Sequence, residues 1–281
     1  MSSHRRLGIG LGFRMVHFET IRKEKPAVDW FELISEHFIV KSKRSEVALE
    51  FLKANYPLVL HGVSLAIGSS EPLDFEYLKK VKMLAKEVNA PWVSDHLSWG
   101  RVKGAHFHDL LPLPHTPEVV DFVAERARIV QDFLEVPFAL ENLSSYLPIQ
   151  EHQMPEWEFY RQIVEKSGTH MMLDVNNIYV SAKNLGFSEE IYIESIPYEK
   201  VVQIHLAGHE DMGDYLFDTH DHPVSNPVWE LYRKVWSKTN GVSTLLEWDE
   251  HIPPFHELWA EALKAKKFQQ EIVHAPTLIP C

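Results

Sequence analysis

The sequence predicts an α/β protein folded as a closed (β/α)8 TIM barrel. Eight short apolar runs of β type alternate with longer segments of helical period. At 281 residues the chain has the length that such barrels fill as one unit. Imidazoles, carboxylates and amides gather at the C-terminal ends of those runs, where barrels place their function.

The strands are expected near Leu7–Gly12, Trp30–Ser35, Leu58–Val63, Trp92–Leu97, Phe138–Asn142, His170–Val175, Val201–Leu206 and Ser243–Trp248. Between them "DFEYLKKVKMLAKEVN", "TPEVVDFVAERARIVQDFL" and "EWEFYRQIVEKSG" repeat apolar residues at helical spacing, and the last ends on a glycine suited to a helix C-terminus. Eight β-then-α units in this length favour a closed barrel over an open doubly wound sheet, although the loops after strands four and seven are longer than the minimum. "GIGLGF" lacks the rest of a dinucleotide fingerprint. The tail "PFHELWAEALKAKKFQQEIVHA" should pack as a helix against the first strand. No Pro- or Ser-rich linker divides the chain, so residues 1–281 read as a single TIM-barrel domain.

Composition narrows the function. Hydrophobic residues make up 45% and charged residues 24%, enough to bury a sizeable core. A net charge of -12 disfavours nucleic acid as a partner, because phosphate binding draws on clustered Lys and Arg. The start "MSSHRRLGIG" has no long apolar signal region, and no stretch approaches a membrane span, so a cytoplasmic protein without a membrane partner is expected. The only cysteine is Cys281, so any metal site must be built from nitrogen and oxygen.

The polar residues fall in strand order: Glu32, Glu36 and His37 after strand two, His61 on three, Asp95 and His96 on four, and Glu141 and Asn142 on five. Asp174, Asn176 and Asn177 follow on six, His205 and His209 on seven, and Glu247 and Asp249 on eight, with Asp218, His220 and His222 in the loop after seven. If the barrel closes, Glu141, Asp174, Asp218 and Glu247 share one mouth with few basic residues. Like charges in a partly desolvated site must protonate, find basic partners or hold cations. Two or three divalent ions resolve the repulsion and use the histidines as neutral donors. Carboxylate and imidazole without thiolate suit iron, manganese or zinc, and such a cluster fits either two-metal hydrolysis or oxygen activation.

The order His61, His96, Glu141, Asp174, Asn177, His205, Asp218, His220 and Glu247 resembles the metal ligands of the xylose isomerase-like barrel superfamily, which includes endonuclease IV. That enzyme's D-x-x-H is here "DVNN", with Asn177 in place of an imidazole. "GIGLGFR", "HGVSLAIGSSEPLD", "VSDHLSW", "DLLPLP", "LENLSSY", "LDVNNIYVSAKNLG", "IHLAGH", "DTHDHPV", "VWELY" and "LLEWD" are more closely similar, in order, to the multinuclear non-heme iron-dependent oxidative enzymes.

That resemblance implies two or three iron ions at mixed valence, dioxygen as co-substrate, a ribosomally made precursor peptide modified most often at cysteine, and a separate protein that recognises the peptide. Carried over by position, those nine residues are the metal ligands, with Glu141 and Glu247 as bridges. Asp95 either binds iron directly or orients His96, and His209 is a candidate base near the substrate; both enter as catalytic candidates. His37 is a further candidate, Glu32 and Glu36 are expected to shape the mouth, and His222 reads as an ordinary loop histidine. Trp99, Tyr146 and Trp248 are candidates for a substrate cleft, and "EDMGDYLF" for a lid. The competing readings are a zinc phosphodiesterase, a magnesium or manganese sugar isomerase, and a non-catalytic metal-binding protein.

Overall fold

The computed structural model describes residues 5–151, 153–239 and 241–274, and Cys281 lies outside them. In chain order the elements are β1 (Ile9–Gly12), α1 (Phe18–Glu24), β2 (Trp30–Ile34), α2 (Glu36–Ile39), α3 (Lys43–Asn55), β3 (Leu58–Gly62), α4 (Phe75–Val88) and β4 (Val93–His96). A hairpin of β5 (Trp99–Val102) and β6 (Ala105–Leu111) leads to α5 (Pro117–Leu134), β7 (Phe138–Glu141), α6 (Glu156–Ser167), β8 (His170–Asp174), α7 (Val175–Leu185) and α8 (Glu189–Glu194). Then come β9 (Val201–Leu206), a ribbon of β10 (Glu210–Asp211) and β11 (Leu216–Phe217), α9 (Asn226–Lys238), β12 (Ser243–Leu246) and α10 (Phe255–His274).

Eight strands close the barrel in the order β1, β12, β9, β8, β7, β4, β3, β2, and all their pairings are parallel. They are the eight runs expected from sequence, trimmed by one or two residues at some ends. The two long loops contain the antiparallel pairs β5 with β6 and β10 with β11, which periodicity did not anticipate. Helix starts follow their side chains: the Asp74 carboxylate accepts from the N–H groups of Glu76 and Tyr77, and the Thr116 hydroxyl accepts from Val119 ahead of Pro117. Gly168 ends α6 in the left-handed region, as its sequence suggested. Helix α10 packs against β1 and β12, where the barrel closes. Among the described residues no helix is long and apolar enough to cross a membrane.

The main core lies between helices and sheet, and a separate cluster of Trp30, Val59, Trp92, Ala139, Met172 and Leu245 packs on the strands' other face, inside the barrel. The rings of Trp30 and Trp92 meet edge to face with centroids 6.3 Å apart. Gly10 makes room for this plug, because a Cβ there would lie 2.3 Å from the Trp30 ring. Strand side chains alternate between faces, so the residue two further along each strand occupies the next layer up. Those residues are Glu32, His61, Ser94, Glu141, Asp174 and Glu247, all buried.

Candidate metal centre

Above the apolar plug the barrel opens into a cavity of about 710 Å³, walled by Arg14, His37, His61, His96, Glu141, Tyr146, Asn177, Phe217, Asp218, His220, Glu247 and Asp249, among others. Three groups of side chains there have ligand atoms within 4.8 Å of one another: His61, His96 and Glu141; Glu141, Asp174, His205 and Glu247; and His220, Glu247 and Asp249. Glu141 and Glu247 each belong to two groups. Glu141 Oε2 lies 3.4 Å from His61 Nε2 and 3.2 Å from His96 Nε2, and its Oε1 lies 3.1 Å from His205 Nδ1. Glu247 Oε2 lies 3.2 Å from His205 Nδ1 and 3.3 Å from His220 Nδ1.

Local structure aims each group. The Ser94 hydroxyl reaches the Leu60 carbonyl and sits 3.0 Å from His61 Nδ1, which frees Nε2 to face Glu141. Asp174 ends β8 and caps α7: its Oδ1 accepts the Asn177 backbone N–H at 2.7 Å, and its Oδ2 is buried without a hydrogen-bond partner. The Asn177 amide donates to the Asn142 carbonyl at 3.0 Å, so the unpartnered Oδ1 is an oxygen ligand in waiting. His220 is held at φ 50°, its N–H donating to the Gly208 carbonyl and its own carbonyl accepting from Asp249. That crossing needs glycine at 208, where a Cβ would lie 2.0 Å from the His222 carbonyl oxygen. Asn176 donates to Asp218 Oδ1 at 2.6 Å and accepts from His209 Nδ1 at 2.7 Å.

Without a cation, the cluster balances its charge with protons. Burial, reinforced by Glu247 and Glu32, pushes the Glu141 carboxyl up to about 7 against the pull of His205. Burial also raises Asp174 well above the usual carboxylate range. Burial disfavours charge on His205, yet Glu32, Glu141 and Glu247 outweigh it and raise its pKa well above the ordinary value. His61 and His96 go the other way: burial lowers both, His96 to about 4, leaving them neutral as metal ligands must be. A divalent cation would take the place of the protons on Glu141, Asp174 and His205. The unpartnered Glu141 Oε2, Asp174 Oδ2 and Asn177 Oδ1, together with neutral imidazoles and no thiolate, fit a hard or borderline cation such as iron.

Of the expected site residues, His61, His96, Glu141, Asn177, Asp218, His220 and Glu247 line the cavity, and Asp174 and His205 join them through the second group. Neither catalytic candidate reaches the cavity wall. Asp95 neighbours His96 on one strand and points to the opposite face, where its carboxylate accepts from the N–H groups of Leu65 and His96. His209 stands behind Asn176 and against the Tyr179 ring. His37 and Tyr146 line the cavity, whereas Trp99 packs on Phe107 and Trp248 on the main core. His222 pairs with the neighbouring Asp221 near the surface. Glu36 accepts from the Tyr77 hydroxyl and the Val63 N–H, and Glu32 is fully buried. Within "EDMGDYLF", β10 and β11 form a ribbon that Asn184 pins to the barrel through the Leu216 backbone, and Phe217 reaches the cavity.

Two wall residues were not among the expected ligands. Arg14, just past β1, is the one Lys or Arg among the described wall residues and pairs with Glu247 and Asp249. Asp249 completes the third group. The motif "GIGLGFR" ends on that arginine, and "LLEWD" on that aspartate.

A closed parallel barrel with its buried imidazoles and carboxylates at the C-terminal mouth is a TIM barrel. It is similar to the D-psicose 3-epimerase of Clostridium cellulolyticum H10, with TM-score 0.61 and 14% identity over 96% of this chain and 99% of that one. It is also similar to the 3-keto-D-glucoside 4-epimerase of E. coli, with TM-score 0.58 and 12% identity over 94% and 100%. At that identity the likeness is one of fold. Within this class the chain belongs to the RiPP precursor modification enzymes of the MbnB/TglH/ChrH family, whose family model matches residues 8–270. A UPF0276 protein of Anaeromyxobacter sp. (strain Fw109-5) is 43% identical over 95% of this chain and 94% of its own length. Another, from Caulobacter vibrioides, is 42% identical over 90% and 91%.

Proposed function

We propose that this protein is a cytoplasmic, multinuclear iron enzyme that uses dioxygen to oxidise a ribosomally synthesised precursor peptide, with cysteine as the modified residue. The observation that carries this reading is the convergence of Glu141, Asp174, His205 and Glu247 in one buried group that shares its carboxylates with His61, His96 and His220. Membership of a peptide-modifying family supports the substrate class.

In this reading His61, His96 and Glu141 hold one ion, and Glu141, Asp174, His205 and Glu247 hold a second. His220, Glu247 and Asp249 would hold a third, with Asp218 at the other ring nitrogen of His220 and Asn177 on the same cavity wall as further ligands. When bound, the iron cluster supplies dioxygen binding and one-electron oxidation. The protein's own part is positioning. Arg14 holds Glu247 and Asp249 on the cavity wall. Asn176, backed by His209, holds Asp218. Tyr146 and Phe217 form an apolar side wall, with ring centroids 5.6 Å apart, that shields the substrate from water. A separate protein recognises the precursor.

The test pairs the iron-loaded protein with a cysteine-containing candidate precursor peptide. Mass spectrometry should detect a modified peptide in air and none under strict anaerobiosis. Turnover that persists without dioxygen, or that follows zinc rather than iron, overturns the proposal.

A further inference from the structure

Beneath the three groups lies a buried carboxylate that none of them uses. Glu32 is 1% exposed and comes from β2, separated from β9 in the sheet by β1 and β12, so its contact with His205 crosses the barrel interior. Its Oε1 lies 3.1 Å from His205 Nε2, and its Oε2 accepts from Gln203 Nε2 at 2.6 Å. Gln203 cannot turn over. Its Oε1 accepts from Trp92 Nε1 at 2.7 Å, and an indole can only donate, so the amide nitrogen must face Glu32 and His205.

The other ring nitrogen of His205, Nδ1, faces Glu141 and Glu247 at 3.1 and 3.2 Å. A neutral imidazole carries one N–H. A cation at Nδ1 therefore requires the proton at Nε2, and that proton needs an acceptor. The Gln203 amide nitrogen lies 2.7 Å from Nε2, where it can donate only to an unprotonated ring nitrogen; to a proton there it has no lone pair to offer. Glu32 does.

We propose that Glu32, locked by Gln203 and Trp92, is a positioning residue that holds His205 in its Nε2–H form and so makes Nδ1 the metal-binding atom at the centre of the barrel. The inference rests on the metal reading above and concerns a residue outside the ligand groups. A carboxylate behind a ligating imidazole fixes the ring and raises its basicity, and removing such a partner typically costs about 10–100-fold in metal affinity.

Metal-free wild type, Glu32→Gln and Glu32→Asp are titrated anaerobically with ferrous iron, and with Co(II) as a visible probe. Glu32→Gln should weaken the ion held by His205 by about 10–100-fold and shift its Co(II) absorption bands, with the ion held by His61 and His96 unchanged. Glu32→Asp should restore part of the affinity. The metal-free Glu32→Gln protein should remain folded, since Glu141 and Glu247 still face His205. Wild-type affinity and bands in folded Glu32→Gln, with only the unfolding temperature lowered, mark a merely structural role and overturn the proposal. If Glu32→Gln does not fold, Trp92→Phe frees the Gln203 amide and should give a smaller loss in the same direction; unchanged affinity there also overturns it. If wild type itself binds neither ion, the metal reading fails and takes this proposal with it.

Discussion

The barrel interior holds two adjacent layers built from the same strands in opposite chemistry. Trp30, Val59, Trp92, Ala139, Met172 and Leu245 form an apolar plug. Two residues further along six strands, Glu32, His61, Ser94, Glu141, Asp174 and Glu247 are as deeply buried and all polar. The lower layer stabilises the fold by hydrophobic burial; the upper layer opposes it, because desolvated carboxylates crowd together. A barrel can therefore carry a destabilised site only where a well-packed layer directly supports it.

The contrast predicts how each layer fails. The largest effect belongs to Glu141→Gln, which removes a ligand shared by two groups. It should lower iron content and peptide turnover by more than about 100-fold, since even the partners of ligands cost 10–100-fold. The metal-free variant should unfold no earlier than wild type; an earlier transition would mean that the mouth also supports the fold. Next is Trp30→Ala in the plug. It should cost about 3–5 kcal/mol in denaturant unfolding while the folded fraction still binds iron.

A third test compares a half-buried carboxylate outside the mouth. Glu156 accepts from the Tyr192 hydroxyl, and burial pushes its carboxyl up to about 7 from an ordinary 4.5. A carboxyl raised on folding keeps its proton in the native state, so its contribution to stability falls as pH rises from about 4.5 to about 7. Glu156→Gln should therefore stabilise the protein more at pH 8 than at pH 4.5, by on the order of 1–3 kcal/mol, with metal binding unchanged. The smallest effect is expected of Ser94→Ala, which takes away the acceptor of His61 Nδ1–H. A loss of about 1 kcal/mol, or about fivefold in affinity for the ion at His61 and His96, should appear in the same iron titrations.

Much of the site was legible because a strand has period two. His61, His96, Glu141, Asp174 and Glu247 each sit at the end of an apolar run, on the parity of the plug residue before it, while His205 ends its own run without that relation to Val202. The same rule accounts for Asp95, since consecutive strand residues cannot both face inward. Residues beyond the strand ends have no such rule. His209 and Arg14 are placed by loops, so nothing in the sequence told His209 to stand behind Asn176 or Arg14 to turn back onto Glu247. Glu32 has the right parity but pairs in register with Val59, whereas His61 pairs with Ile34; reach across a barrel depends on stagger between strands, which a single sequence does not show. The ribbon β10–β11 was hidden by its brevity, and the hairpin β5–β6 by the polar residues along it.

The pairing of β1 with β12 sets an order on how the protein becomes competent. Glu247, which belongs to two of the three groups, directly follows the last barrel strand, whereas His61 is on the third. A ribosome has made most of the barrel before the residue that completes these groups emerges. A chain stalled or truncated before residue 247 holds most of the other ligands yet lacks the carboxylate common to two groups. On the proposed metal reading, only the group of His61, His96 and Glu141 can form before that point, and the two groups that share Glu247 wait for it.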